Sequence, residues 1–162
     1  MAKLSIILLI SFLLPLAYSK TKVTNIRLYL QDQFNTSQSI SYGDVLAFQD
    51  PLTMGPSPNS TLWGRAQGTI AFTTHDASFD LHVSIAYIFT GGKYNGSTVV
   101  AVGRNDVTQS VREFPIVGGT GAFKLARGIV TGSTYSTDPP VFIYDLEIIQ
   151  DYKSSRIEMK CV

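Results

Sequence analysis

The sequence predicts an all-β fold: a single domain of roughly eight antiparallel strands, closed into a barrel or stacked as a sandwich. Three observations carry that expectation. Apolar residues recur with period two rather than 3.6, as on a strand with one buried face. Clusters of Gly, Pro, Asn and Asp punctuate the alternating runs. No segment shows the helical spacing of an amphipathic helix. Long alternating strands need their edges paired, and closing the sheet on itself removes the edges altogether.

The elements follow in order. Thr24, Ile26, Leu28 and Leu30 alternate with Asn25, Arg27 and Tyr29, which predicts the first strand. Shorter runs over 45–48 and 63–72 predict the next two, separated by the turn signals Asp50-Pro51 and Gly55-Pro56-Ser57-Pro58-Asn59. The strongest strand is 79–90. Phe79, Leu81, Val83, Ile85, Tyr87 and Phe89 share one face, with Asp80, His82, Ser84, Ala86, Ile88 and Thr90 on the other. Periodicity buries the first set without choosing between the barrel lumen and an outer contact. Gly91-Gly92 and Asn95-Gly96 then turn the chain into runs over 98–102 and 112–117. Gly118 to Gly121 reads as a tight turn before 126–134, and Asp138-Pro139-Pro140 as the last turn. Phe142, Tyr144, Leu146 and Ile148 alternate with Asp145 and Glu147 in the final strand.

Residues 1–19 predict a secretory signal peptide, leaving 20–162 as the barrel domain. Lys3 supplies a positive charge, Leu4 to Leu14 is almost wholly apolar, and Ala17-Tyr18-Ser19 offers small residues for cleavage. The run is far short of the ~20 residues that a membrane span requires. The product is therefore expected to be secreted to the extracellular space. Sequons at Asn35, Asn59 and Asn95 fit that destination, because each sits in a polar, turn-like stretch.

Composition narrows the chemistry. The 162 residues are 44% hydrophobic and 15% charged, which excludes a disordered chain. Thirteen basic residues against twelve acidic ones give a net charge of +1. That balance offers no electrostatic reason to bind nucleic acid or an anionic membrane. Two histidines and the single Cys161 do not make a usual zinc or copper site, so no metal is expected. There is no nucleophile elbow and no dinucleotide fingerprint, and Lys124 is misplaced for Gly118–Gly121 to act as a phosphate loop. No cofactor is expected.

What remains is carboxylates, arginines and tyrosines beside apolar strands. Asp32 closes the first strand, and Arg104, Asn105, Asp106 and Arg112 flank a turn. Converging at a barrel mouth, an Asp there would hold its proton more tightly and serve as an acid. A guanidinium would pair with it or hold a phenolic oxygen. Asp32 and Arg112 are the catalytic candidates, with Arg104, Asn105 and Asp106 as candidates for the substrate pocket.

Several ordered segments now point to a family. Gly43-Asp44-Val45 leads to Asp50-Pro51-Leu52-Thr53, followed by Gly64-Arg65-Ala66-Gln67-Gly68. Tyr94-Asn95-Gly96-Ser97-Thr98, Gly103-Arg104-Asn105 and Val111-Arg112-Glu113 come next. Pro115 to Gly121 and Phe123 to Gly128 complete the series. Together they resemble plant dirigent proteins across nearly the whole mature chain. The resemblance implies an eight-stranded barrel, a homotrimer, and secretion to the apoplast. It also implies that a separate laccase or peroxidase makes phenoxyl radicals from a substrate such as coniferyl alcohol. The barrel then orients two radicals for regio- and stereoselective coupling in lignan and phenylpropanoid biosynthesis. Such a protein has no oxidative activity of its own, and its selectivity comes from orientation. Some dirigent-like members instead act as carbon–oxygen lyases, closing an isoflavonoid alcohol through a quinone methide as in pterocarpan synthesis.

The sequence departs from the family at three places. Gln31 precedes Asp32 where the family carries His. Asn105 stands seven residues before Arg112, where lignan-forming members commonly carry a second Asp. Asn has no proton to give as an acid. Several members also pair an early cysteine with the C-terminal one, and Cys161 has no such partner in this sequence.

Overall fold

The computed structural model describes residues 19–33, 39–75 and 80–153. Eight strands form a closed barrel in which each pairs antiparallel with its neighbours in sequence. They are β1 (Ser19–Gln31), β2 (Val45–Thr53), β3 (Leu62–Phe72), β4 (Asp80–Phe89), β5 (Thr98–Asp106), β6 (Val111–Thr120), β7 (Arg127–Thr137) and β8 (Pro140–Lys153). Single 3₁₀ turns at Gly92–Tyr94 and Gly121–Phe123 follow β4 and β6. The barrel's compact unit runs from Val23 to Gln150. A second unit takes in the described residues 20–22 and 151–152, and within it the Thr21 hydroxyl donates to the Asp151 carboxylate at 2.7 Å. Residues 1–18 of the expected signal peptide lie outside the described residues, as do Asn35, Phe79 and Cys161.

The period-two faces point into the barrel. On β4, Val83, Ile85, Tyr87 and Phe89 are buried, while His82 is exposed. Leu28, Leu52, Val99, Phe114, Val130, Leu146 and Ile148 complete the interior from the other strands. The two ends of the lumen differ because their side chains differ in size. Phe89, Tyr94, Phe123 and Trp63 meet with ring centroids 4.7–6.1 Å apart and plug one end. At the other end the inward side chains leave space.

Two turn signals do not interrupt the chain where the sequence suggested. Asp50-Pro51 lies inside β2, and Gly118 to Thr120 continues β6 until Gly121 turns with φ +60°. Pro51 is tolerated because the β1–β2 ladder spans only Tyr29–Leu30 against Leu52–Thr53. Pro51 has no β1 residue opposite it, so its missing N–H costs that ladder nothing.

Candidate functional site

The unplugged end holds a cavity of about 400 Å³. It is bounded by the ends of β1, β3, β5 and β7, the middle of β2 and the first halves of β4, β6 and β8. Phe48, Ile70, Leu81, Val83 and Phe142 supply an apolar wall. Asp32, Asp50, Asn105, Arg112, Thr134 and Tyr144 supply the polar groups.

Asp32 follows β1 directly, and its backbone N–H donates to the Pro140 carbonyl at 3.2 Å, pinning it beside the start of β8. The next residue reaches the second carboxylate: the Gln33 N–H donates to Asp50 Oδ1 at 3.0 Å. Asp50 is only 4% exposed. Burial holds its carboxyl above the usual range, the negative charge of Asp32 adds to that, and the Gln33 N–H opposes it. Arg112 opens β6. Its Nη2 donates to Thr134 Oγ1 at 3.3 Å, and its guanidinium lies over the Phe142 ring at 5.6 Å. These two contacts come from β7 and β8 and fix where the positive charge stands. Asn105 stands opposite Leu81 on the β4–β5 ladder, with a buried Oδ1 that has no hydrogen-bond partner among the described residues. Burial pushes the Tyr144 phenol up to about 12. Arg112 works against that shift, and Asp32 and Asp50 add to it.

Three of the residues singled out from sequence therefore meet at the cavity: Asp32, Asn105 and Arg112. Arg104 and Asp106 do not line it. Consecutive strand residues point to opposite faces, so the neighbours of an inward Asn105 face outward. Arg104 pairs with Asp80 at 2.7 Å and Asp106 at 3.3 Å on the outer surface. Asp106 also accepts the side-chain hydroxyl and backbone N–H of Thr108, which hold its carboxyl below the usual range. Of the sequons, Asn59 and Asn95 are exposed.

Asp50 and Tyr144 also line the cavity and were not singled out from the sequence, although both carried a signal. Asp50 falls in the apolar register of Leu46, Phe48 and Leu52, and Tyr144 in that of Phe142 and Leu146. A carboxyl on the buried face of a strand is a far rarer observation than one at a turn.

Chemically, the arrangement can enclose an aromatic molecule against apolar walls while offering acids and a fixed cation. It defines a small-molecule-enclosing β-barrel with an ionisable mouth. The family model described as Dirigent-like protein matches residues 13–149, and the chain belongs to this dirigent family. Dirigent protein 1 of Arabidopsis thaliana is 39% identical over 134 residues, covering 73% of this chain and 72% of that protein. Pterocarpan synthase 1 of Glycine max is 43% identical over 101 residues, covering 62% of this chain and 54% of that protein. A solved pterocarpan synthase dirigent protein superposes with a TM-score of 0.72 at 33% identity, covering 80% of this chain and 89% of that one.

Proposed function

We propose that the cavity orients phenoxyl radicals, made by a separate oxidase from a phenol such as coniferyl alcohol, for stereoselective coupling. One observation carries this reading: two carboxyls and an anchored guanidinium gather in a cavity walled by Phe48, Ile70, Leu81, Val83 and Phe142. Apolar walls fix the planes of aromatic rings, and the charged groups fix their oxygens. Radical coupling has little barrier of its own, so selectivity rests on the geometry in which the radicals are held. Asp32 is the acid for the quinone methide that coupling forms, and Arg112 holds a phenolic oxygen.

A second reading has its own support. Asp50 is a buried carboxyl that keeps its proton more tightly than usual, which suits a general acid that expels hydroxide as water from an alcohol. That is the chemistry of a carbon–oxygen lyase of the pterocarpan synthase type, the activity in the names of two of the relatives above. The two readings separate by oxidase dependence. Purified protein is given racemic isoflavanol alone, then coniferyl alcohol with laccase, with chiral analysis of each product. Lyase activity converts the first without an oxidase, and orientation gives enantiomeric excess only in the second. Asp32→Asn keeps the shape and removes the proton. In the orienting case it is expected to give racemic product at an unchanged overall rate, since the oxidase sets that rate. In the lyase case Asp50 carries the acid, so Asp50→Asn is the variant expected to lower turnover ~10²–10⁴-fold. Undiminished selectivity and turnover of Asp32→Asn on both substrates would remove Asp32 from the mechanism.

The reading extends to the state of the protein in solution. The expected mature form starts at Lys20 and is secreted to the apoplast as a glycoprotein. Asn59 and Asn95 lie in the β2–β3 and β4–β5 connections, at the end away from the cavity, so glycans there leave the mouth open. Ile88, Val100, Val102 and Val117 lie on the outward registers of β4, β5 and β6, which suits a homo-oligomer contact. Val117 is 61% exposed in the single chain. Secreted protein is expected to lose mass on deglycosylation and to sediment as a trimer. A monomer of unprocessed mass would overturn these assignments.

A further inference from the structure

We propose that Tyr144 is the neutral hydrogen-bond donor that reads the phenolic oxygen of the substrate, and that Gly132 is the residue that positions it. This rests on the phenolic reading above and assigns a residue that reading does not use.

Tyr144 stands opposite Gly132 on the β7–β8 ladder and lines the cavity. Its ring meets Tyr87 edge-on at 5.6 Å and Phe114 at 6.4 Å. Tyr87 and Phe114 are themselves almost fully buried, so two rigid rings hold the third. The remaining side is closed by the absence of a side chain. A Cβ on Gly132 would lie 2.9 Å from Tyr144 Cε1 and 3.2 Å from Phe114 Cε2. Gly132 has no positive φ to explain it. Its reason in this fold is therefore the space that the Tyr144 ring occupies.

The hydroxyl chemistry follows. Asp32, Asp50 and Arg112 all act on the Tyr144 phenol electrostatically, which places it among the ionisable groups of the cavity. With its proton held up to about 12, the phenol stays neutral in any physiological setting. It can then donate to an oxygen carrying negative charge, in the manner of an oxyanion hole. A carboxyl can do this only while it holds its proton, because an ionised carboxylate only accepts. Arg112 is a donor too, but its position is tied to Thr134 and Phe142. A charge-neutral donor beside it adds direction without a second positive charge.

The test is binding of two ligands to the full mature chain, by calorimetry without any oxidase: coniferyl alcohol and its 4-deoxy analogue, 3-methoxycinnamyl alcohol. The analogue keeps the ring and side chain but lacks the oxygen that would accept from Tyr144. Wild-type protein is expected to prefer the phenol. Tyr144→Phe keeps the ring packing, so its melting temperature should stay near wild type. It is expected to lose ~5–10-fold affinity for the phenol and none for the deoxy analogue. Gly132→Ala is expected to show the same selective loss, because it displaces the ring. If Gly132→Ala does not fold, its positioning role is read from Gly132→Ala combined with Tyr144→Leu, which frees the space and should restore folding; failure of that rescue overturns the role. A wild-type protein that binds neither ligand overturns the phenolic reading and this assignment with it. Discrimination that survives in Tyr144→Phe overturns the assignment alone.

Discussion

Gly68→Ala is expected to abolish the folded barrel, although it adds a single methyl group. The added Cβ would lie 1.8 Å from the Ser84 carbonyl oxygen and 2.9 Å from its carbon, on the strand paired with β3. Backbone has nowhere to go in a closed sheet, because moving β4 away from β3 also disturbs its ladder with β5. Gly64 faces the same obstacle four residues earlier, 2.0 Å from the Ile88 carbonyl oxygen. Both glycines mark places where β3 comes too close to β4 for any side chain. Opening the ladder at Gly68 is expected to cost more than ~4 kcal/mol, against a total stability of ~5–15 kcal/mol. Gly118→Ala is the matched control, since nothing stands within 4 Å of its Cβ. Thermal melts followed by far-ultraviolet dichroism compare the two. The Gly118 variant should melt within about 2–4 °C of wild type, the shift that ~1 kcal/mol produces in a chain of this size. The Gly68 variant should show no cooperative transition. A cooperative melt near the wild-type temperature would mean that β3 and β4 pair at another distance.

The glycines show how far the sequence can be read. Gly64 and Gly68 frame a recognisable motif, but only the β3–β4 register reveals what they avoid. Alternation identified the strand cores because a half-buried strand repeats every two residues whatever it packs against. It fixed the shared face of Val83, Ile85, Tyr87 and Phe89 without saying that the face is luminal. Nor did it say which end of the lumen is open. That depends on Phe89, Tyr94 and Phe123 filling one end together, and Tyr94 and Phe123 stand in turns where periodicity is silent. The site was legible where single residues sit at strand ends, as with Asp32 and Arg112. It was misread where three polar residues run together. Arg104, Asn105 and Asp106 were placed in one mouth, yet an extended strand sends only the middle one there. Asp50 was lost for the opposite reason. Its neighbour Pro51 argued for a turn, and that local signal outweighed its place between Phe48 and Leu52.

Asp50→Asn should make the protein more stable and less competent at the same time. The carboxyl is 4% exposed, and burial beside Asp32 holds its folded-state proton more tightly than in the unfolded chain. The sign follows from proton binding. Below the ordinary carboxyl range Asp50 is protonated in both states, and its stabilising contribution is complete. As the pH rises through the folded value, the folded protein must give up a proton it prefers to keep, and that contribution is lost. Asn removes the titration and leaves an oxygen for the Gln33 N–H, so the contact at 3.0 Å can persist. Melting temperatures of the two proteins should therefore lie close together near pH 3. They should separate above the Asp50 value, with the variant the more stable at neutral pH. Activity should move the other way. In the lyase assay the loss of a buried acid is expected to lower turnover ~10²–10⁴-fold. In the coupling assay it should reduce enantiomeric excess at an unchanged rate of radical consumption. A variant that is less stable at neutral pH would show that ionised Asp50 gains more from its surroundings than burial takes away. A variant with unchanged turnover and selectivity would leave Asp32 as the acid and Asp50 as part of the wall. A carboxyl that weakens the fold while ionised, and is needed for chemistry, is the pattern expected when a buried acid is retained for function rather than stability.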